Sequence, residues 1–209
     1  ITVLSAYETH LMVIKDITLS GGAPEPYTSM MDYMHGKEGN TVMVNGKVNP
    51  VLPIKPGQVQ RWRIVNACNA RFLKLGLEGH TLQIIGTEGG LLDKPYPATS
   101  ILLSPGERLD VLVKANQTSR NYRLLAQPYS RMGNMGSQQV TLMTLSYKGS
   151  RTNDAVPSII NPGAARINPM IAKTERIILS MGQGKGYVNG ISFTMENYYA
   201  IHSHLGTYE

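Results

Sequence analysis

The sequence predicts an all-β fold: a sandwich or Greek-key barrel of antiparallel strands, followed by the opening strands of a second, incomplete β unit. Short β-branched runs recur through the first 150 residues, each bounded by Gly, Pro, Asn or Asp. Within them apolar and polar side chains alternate, as in Leu73, Leu75 and Leu77 against Lys74 and Gly76, or Leu109, Val111 and Val113 against Asp110 and Lys114. Turn formers are abundant, with 21 Gly and 12 Pro in 209 residues, and no helical stripe competes with the strands.

Taken in order, the predicted strands are "LMVIKDIT" (11–18), "TVMVNG" (41–46), "QVQRWRIVNA" (58–67), "RFLKLGLEG" (71–79) and "TLQIIG" (81–86). They continue with "SILLSPG" (100–106), "ERLDVLVKA" (107–115), "NYRLLAQPY" (121–129) and "QVTLMTLSYKG" (139–149). Their alternation predicts one wet and one buried face on each strand. Pro56-Gly57 and Pro105-Gly106 each launch a strand: Pro fixes the first corner and Gly takes the positive φ of the second, which is a type II turn. Trp62, on an alternating strand, reads as a core anchor.

Residues 1–149 thus form one predicted domain. Pro157, Pro162 and Pro169 then forbid a regular ladder, which predicts a linker over 150–173. Strand pattern resumes at "ERIILSM" and "YVNGISF", and a further strand begins at "LGTYE". Residues 174–209 are therefore expected to be the first strands of a further unit, too few to close a sandwich alone. A start at Ile1 and a stop at Glu209 inside strand patterns fit a segment of a longer protein. One internal echo joins the units: Val44-Asn45-Gly46 recurs as Val188-Asn189-Gly190, near the start of each.

The formal net charge of +6 suits an acidic partner, but like charges cluster only in pairs such as Arg61 and Arg63, so a solvated basic face is the simpler reading. With 14 aromatics and no Lys/Arg stripe, a nucleic-acid surface is not indicated. No apolar stretch approaches the ~20 residues of a membrane span, and no basic head with an apolar run marks the first residues. Cys68 is the only cysteine, which excludes an intrachain disulfide and a Cys-rich zinc site.

Several motifs invite a functional reading. His202 and His204 at i and i+2 would share a strand face, yet a tight metal site needs three or four ligands, so the pair reads first as solvated imidazoles. Met30, Met31, Met34, His35, Met132 and Met135 fall in loops; thioethers suit cuprous ion, but packing filler is the stronger reading. Gly182, Gly184 and Gly186 look like a phosphate loop, but a strand follows instead of a helix N-terminus, which favours a hairpin turn. Asn116-Gln117-Thr118 is a formal glycosylation acceptor, relevant only in a secreted eukaryotic protein. No Ser/His/Asp or paired-carboxylate arrangement follows from spacing.

A longer pattern emerges from residues 43–115. Val44-Asn45-Gly46 precedes a Pro; Pro56-Gly57 leads to Arg61-Trp62-Arg63-Ile64-Val65-Asn66-Ala67; then come Gly79-His80, Gly89-Gly90 and Pro105-Gly106-Glu107-Arg108. In this order they resemble the second cupredoxin domain of the three-domain multicopper oxidases, the family of laccases, bilirubin-oxidase-like enzymes and bacterial cuprous oxidases. "LMVIKDITLSGG" is similar to that domain's opening strand, and "YVNGISFTMENYYAIHSHLGTYE" to the start of the third domain.

The resemblance implies a cupredoxin-like Greek-key sandwich and, for the intact parent, a copper oxidoreductase. Such an enzyme takes single electrons from a phenol, aromatic amine or metal ion at a blue mononuclear copper and reduces oxygen to water at a trinuclear centre. In the family the copper ligands lie in the first domain, as His-x-His-Gly and a second His-x-His, and late in the third, as His-Pro-x-His-x-His and His-Cys-His. None of these strings occurs here. The implied assignment is no catalytic, cofactor-binding or metal-ligating residue in this chain, with His80 architectural and Cys68 a structural thiol. Implied partners are the first and third cupredoxin domains, with a small reductant and oxygen for the whole enzyme, in the periplasm or secreted. Some relatives keep the fold without copper as structural or division-associated periplasmic proteins, and this chain's residues do not separate the two.

Overall fold

A computed structural model describes residues 2–130, 138–164, 174 and 176–192. The chain divides into two compact units, Ile1–Ala165 and Arg166–Glu209. In the first, a 3-10 turn at Thr2–Ala6 leads into β1 (Glu8–Ile17), a ribbon of β2 (Leu19–Ser20) and β3 (Ala23–Pro24), and the helix α1 (Met30–His35). There follow β4 (Thr41–Val44), β5 (Val51–Ile54), β6 (Val59–Asn66), β7 (Leu73–Leu77) and β8 (Leu82–Thr87). The unit continues with β9 (Gly90–Ala98), β10 (Ile101–Leu103), β11 (Arg108–Lys114), β12 (Asn121–Gln127) and β13 (Val140–Tyr147).

Six strands pair in the order β4-β1-β6-β11-β8-β9 and five in the order β10-β7-β12-β13-β5. Alternate side chains from both sheets meet in one core that includes Ile14, Trp62, Leu75, Val111 and Leu145. Trp62 is fully buried there, its indole N–H donating to Gln60 Oε1 at 3.2 Å. The fold class is the all-β, cupredoxin-like one that the strand pattern and the resemblance imply. The sheets are nevertheless mixed: β1 runs parallel to β6, and β13 parallel to β5. Parallel neighbours need a long crossover, and the 41-residue stretch from Thr18 to Gln58 provides one for β1 and β6.

Both Pro-Gly turns form as the sequence predicts. Gly57 and Gly106 have φ of +82° and +86°, and the Gln58 and Glu107 amides donate back to Lys55 and Ser104 carbonyls at 3.0 and 3.1 Å. Gly57 is needed twice over, because a Cβ there would stand 2.0 Å from the Thr152 carbonyl oxygen.

That contact belongs to the segment expected as a linker. Its described part, 150–164, carries no strand, as its prolines require, yet it docks along the first unit. The Thr152 amide donates to Pro56 O at 2.8 Å, Asp154 Oδ2 accepts the Val59 amide at 3.0 Å, and the Ile160 amide donates to Asp93 O at 2.8 Å. Ile160 then joins Leu4, Val59, Ile85 and Leu112 in a second apolar cluster. This corrects the expectation of one wet face per strand: Val111 and Leu112 point to opposite sides of β11 and both are fully buried. The outer face of the six-stranded sheet is partly roofed by the N-terminal turn and the docked segment.

The second unit contains β14 (Leu179–Gly182), β15 (Lys185–Val188) and β16 (Ile191–Ser192) in one antiparallel sheet. The Gly182–Gly186 stretch is a hairpin, its central Gln183 and Gly184 both at positive φ. None of this unit's described residues is buried. The strand predicted at "LGTYE" lies outside the described residues.

Candidate functional site

His80 sits at the end of the turn after β7, where Gly79 at φ +69° swings the chain round. The imidazole is buried and satisfied at both nitrogens: Nδ1 lies 2.6 Å from Glu78 O and Nε2 2.6 Å from the Tyr147 hydroxyl. A carbonyl only accepts, so Nδ1 carries the hydrogen, and Nε2 accepts the phenol's proton. Tyr122 packs edge-on to the ring, 4.7 Å between centroids, and Tyr147 lies 5.2 Å from Tyr122. Burial pushes His80 below the ordinary imidazole range and Tyr147 above the ordinary phenol range. The partner Tyr147, 67 residues away, carried no signal in the sequence.

Cys68 is buried against β1, its Sγ 3.8 Å from Ile14 O. Burial, with Asp16 beside it, pushes the thiol up to about 12, so it is protonated and inert at neutral pH. Around it lies a polar network. Asn66 donates to Arg71 O at 2.9 Å and Leu103 O at 3.0 Å, and accepts the Cys68 amide at 3.1 Å. Arg71 bonds Asp16 Oδ2 at 3.1 Å and Gly39 O at 2.7 Å. Asp16 also accepts the Gly39 amide at 2.7 Å, so this buried ion pair ties β1 to the approach to β4.

The other histidines stand apart from these groups. His10, half-buried on β1, has Nε2 3.2 Å from Glu8 Oε1, at ion-pair range without hydrogen-bond alignment. His35 closes α1, whose Met30, Met31 and Met34 are all exposed. Met132, Met135, His202 and His204 lie outside the described residues. Asn116 is exposed after β11, but Thr118 of the same tripeptide is bonded to the Tyr122 hydroxyl at 3.2 Å.

A blue copper needs two imidazoles and a thiolate on one face, and the trinuclear centre needs more imidazoles. The described donors do not fit that demand: His80 has no free nitrogen, and Cys68 is a protonated thiol inside the core. Among the described residues, no group of three or more His, Cys, Asp or Glu is poised around a common point.

A groove of about 420 Å³ lies on the outer face of the six-stranded sheet between Leu11, Arg61, Arg63, Glu88, Arg108 and Asp110. Arg61 forks onto Asp110 across β6 and β11, with Nε 2.9 Å from Oδ1, and this raises the guanidinium's already high pKa. Arg108 pairs with Glu88. Arg63 is exposed and has neither carboxylate, although the ladder sets it directly opposite Asp110. The groove is lined by charged side chains and contains neither His nor Cys.

A family model described as "Multicopper oxidase" matches residues 2–150. The McoA multicopper oxidase from the hyperthermophile Aquifex aeolicus superposes with a TM-score of 0.75 at 29% identity, over 93% of this chain and 42% of that one. Laccase-12 of Arabidopsis thaliana is 29% identical over 144 residues, 67% of this chain and 24% of its own length. The cell division protein FtsP of Photorhabdus laumondii is 38% identical over 104 residues, 49% of this chain and 21% of its own. The chain thus spans about a quarter of the length of these curated relatives.

Proposed function

The chain belongs to the multicopper oxidase family, and from that premise we propose that it is the middle cupredoxin domain, with the opening strands of the third, of a laccase-like enzyme. In this reading residues 1–149 are the second domain, 150–173 the connection and 174–209 the start of the third. Copper bound elsewhere in the intact protein supplies electron transfer from a phenolic, aromatic-amine or metal-ion reductant to oxygen. This chain supplies none of the reacting groups, and its task is to hold the first and third domains at a fixed distance and angle.

One observation carries the scaffold role: among the described residues, the thiol and the best-placed imidazole that copper would need are occupied by the fold itself. The domain assignment draws support from the Asn-Gly echo. Asn45 and Asn189 both take φ near +50°, each followed by a Gly at positive φ. Asn45 donates its amide to Val13 O at 2.9 Å and accepts the Val13 amide on Oδ1 at 2.8 Å; Asn189 does the same to Ile178 at 2.8 and 2.8 Å. An identical two-bond clamp at the start of both units is what two copies of one domain type would share. The apolar residues left open in the second unit, Leu179 and Met181 at 75% and 86% exposure, fit strands whose covering layer comes from further sequence.

The same reading puts the parent in the periplasm or outside the cell. No helix among the described residues is long and apolar enough to cross a membrane. The likeness to the cell division protein FtsP supports, as second reading, a structural parent without copper.

Expression with copper of this chain, and of the parent polypeptide containing it, tests both. The expected outcome is no blue thiolate-to-copper band and no oxygen uptake for the chain, and both for the parent. A parent with neither gives the structural reading; stoichiometric blue copper in this chain alone ends the scaffold assignment.

A further inference from the structure

The Tyr147–His80 contact has the composition of a proton-coupled redox site, which a spacer role does not call for. A phenol is hard to oxidise while its proton has nowhere to go, because the cation radical is strongly acidic. Here the hydroxyl points along a 2.6 Å bond at the bare Nε2 of a neutral imidazole, and the other ring nitrogen is fixed by Glu78 O at 2.6 Å. The ring cannot turn away without losing both bonds, and the other tautomer would set a bare Nδ1 against the Glu78 carbonyl oxygen. The phenol oxygen also accepts the Gln117 amide at 3.3 Å, a donor that would remain in place for the oxidised ring. Both residues are buried, at 9% and 5% exposure, so solvent does not compete for the proton.

Tyr122 beside them is built the opposite way. Its hydroxyl donates to the Thr118 carbonyl at 2.7 Å, which is no base, and the Arg120 guanidinium lies 4.8 Å from its ring centroid. A cation over the ring disfavours removing an electron from it. An oxidising equivalent reaching this aromatic cluster therefore settles on Tyr147.

We infer that Tyr147 and His80 form a proton-coupled redox pair that holds one oxidising equivalent. A one-electron outer-sphere oxidant takes an electron from the Tyr147 phenol, the hydroxyl proton crosses to His80 Nε2, and the products are a neutral tyrosyl radical, an imidazolium and the reduced oxidant. Returning the electron and the proton restores the pair. This function is independent of whether the parent binds copper.

The test uses the 209-residue chain with photogenerated tris(bipyridine)ruthenium(III), a cobalt(III) ammine being the terminal electron acceptor. Flash photolysis reads phenoxyl absorbance, and freeze-trapped electron paramagnetic resonance reads the radical. Surface tyrosyl radicals decay quickly, so the signal of interest is a slow-decaying phenoxyl population. It is expected in the wild-type chain and in Tyr122→Phe, and absent in Tyr147→Phe. His80→Gln keeps an acceptor for the hydroxyl but removes the base, and is expected to slow formation about tenfold. High-field spectra of the wild-type radical give a reading that needs no variant: an exchangeable hydrogen bond to the phenoxyl oxygen. No slow-decaying radical in the wild type, its survival in Tyr147→Phe, or undiminished formation in a folded His80→Gln overturns the proposal.

Discussion

Asn66 ends β6 by bonding three backbone groups from three places in the chain: Arg71 O, Leu103 O and its near neighbour Cys68 N. Its burial is complete, so an alanine there would take a buried bonding partner from two carbonyls and an amide with no water to replace it. Asn66→Ala is expected to cost about 2–4 kcal/mol, read as a lower urea midpoint at unchanged slope. His80 gives a prediction of a different kind. Burial holds it below the ordinary imidazole value, so as pH falls the unfolded chain takes up its proton first. Its contribution is therefore complete above the unfolded value, about 6.5, and is lost as pH falls from there through the lower folded value. Urea midpoints taken at intervals downward from neutrality should decline in the wild type before carboxylates such as Glu78, held low by Arg123, begin to matter. In His80→Gln that early decline should be absent. An equal decline in both proteins would assign it to another group.

Among the elements, the strands that could be read in advance and those that could not differ in one respect. All nine predicted runs of the first unit became strands, because each buries an alternating face. The two sizeable strands that were not foreseen, β5 and β9, contain Pro53, and Pro95 with Pro97, and both lie at sheet edges. Proline is tolerated there because one side of an edge strand makes no ladder bonds, so the residue that argues against a strand marked an edge instead. Helix α1 escaped notice because no face of it is buried, although Ser29 and Asp32 form a complete capping box that the sequence displays. The docked segment was legible as irregular but not as packed, since nothing local distinguishes Ile159 from Ile160. The structure does: Ile159 is 57% exposed and Ile160 only 2%. Ile160→Ala should destabilise the first unit by about 2–4 kcal/mol, whereas Ile159→Ala should fall within about 0.5 kcal/mol of wild type. Equal effects would mean that the segment does not stay docked in solution. A chain ending at Gly149 should likewise be less stable than one ending at Ala164, because it uncovers Val59, Ile85 and Leu112 together.

At the scale of the whole molecule, the sequence spoke about chemistry through strings of residues it lacks, and the structure speaks through what the existing donors already do. Spacing could not show that Cys68 is enclosed with a buried Asp16–Arg71 pair, nor that both nitrogens of His80 are engaged, because Asp16 and Tyr147 come from strands distant in sequence. Thermodynamic linkage turns the consequence into a measurement. A ligand held only by the folded state stabilises it by about 2.7 kcal/mol when present at 100 times its dissociation constant. For a protein of this size each kcal/mol moves the melting temperature by about 2–4 °C. A copper centre formed by this chain would thus raise its transition by roughly 5–10 °C under those conditions. With the donors disposed as they are, cupric ion is expected to leave the transition unmoved, and Cys68→Ser is expected to respond to the ion as the wild type does. A rise in the wild type that disappears in Cys68→Ser would show the thiol leaving the core to bind metal, and the division of labour between this chain and the rest of its parent would have to be redrawn.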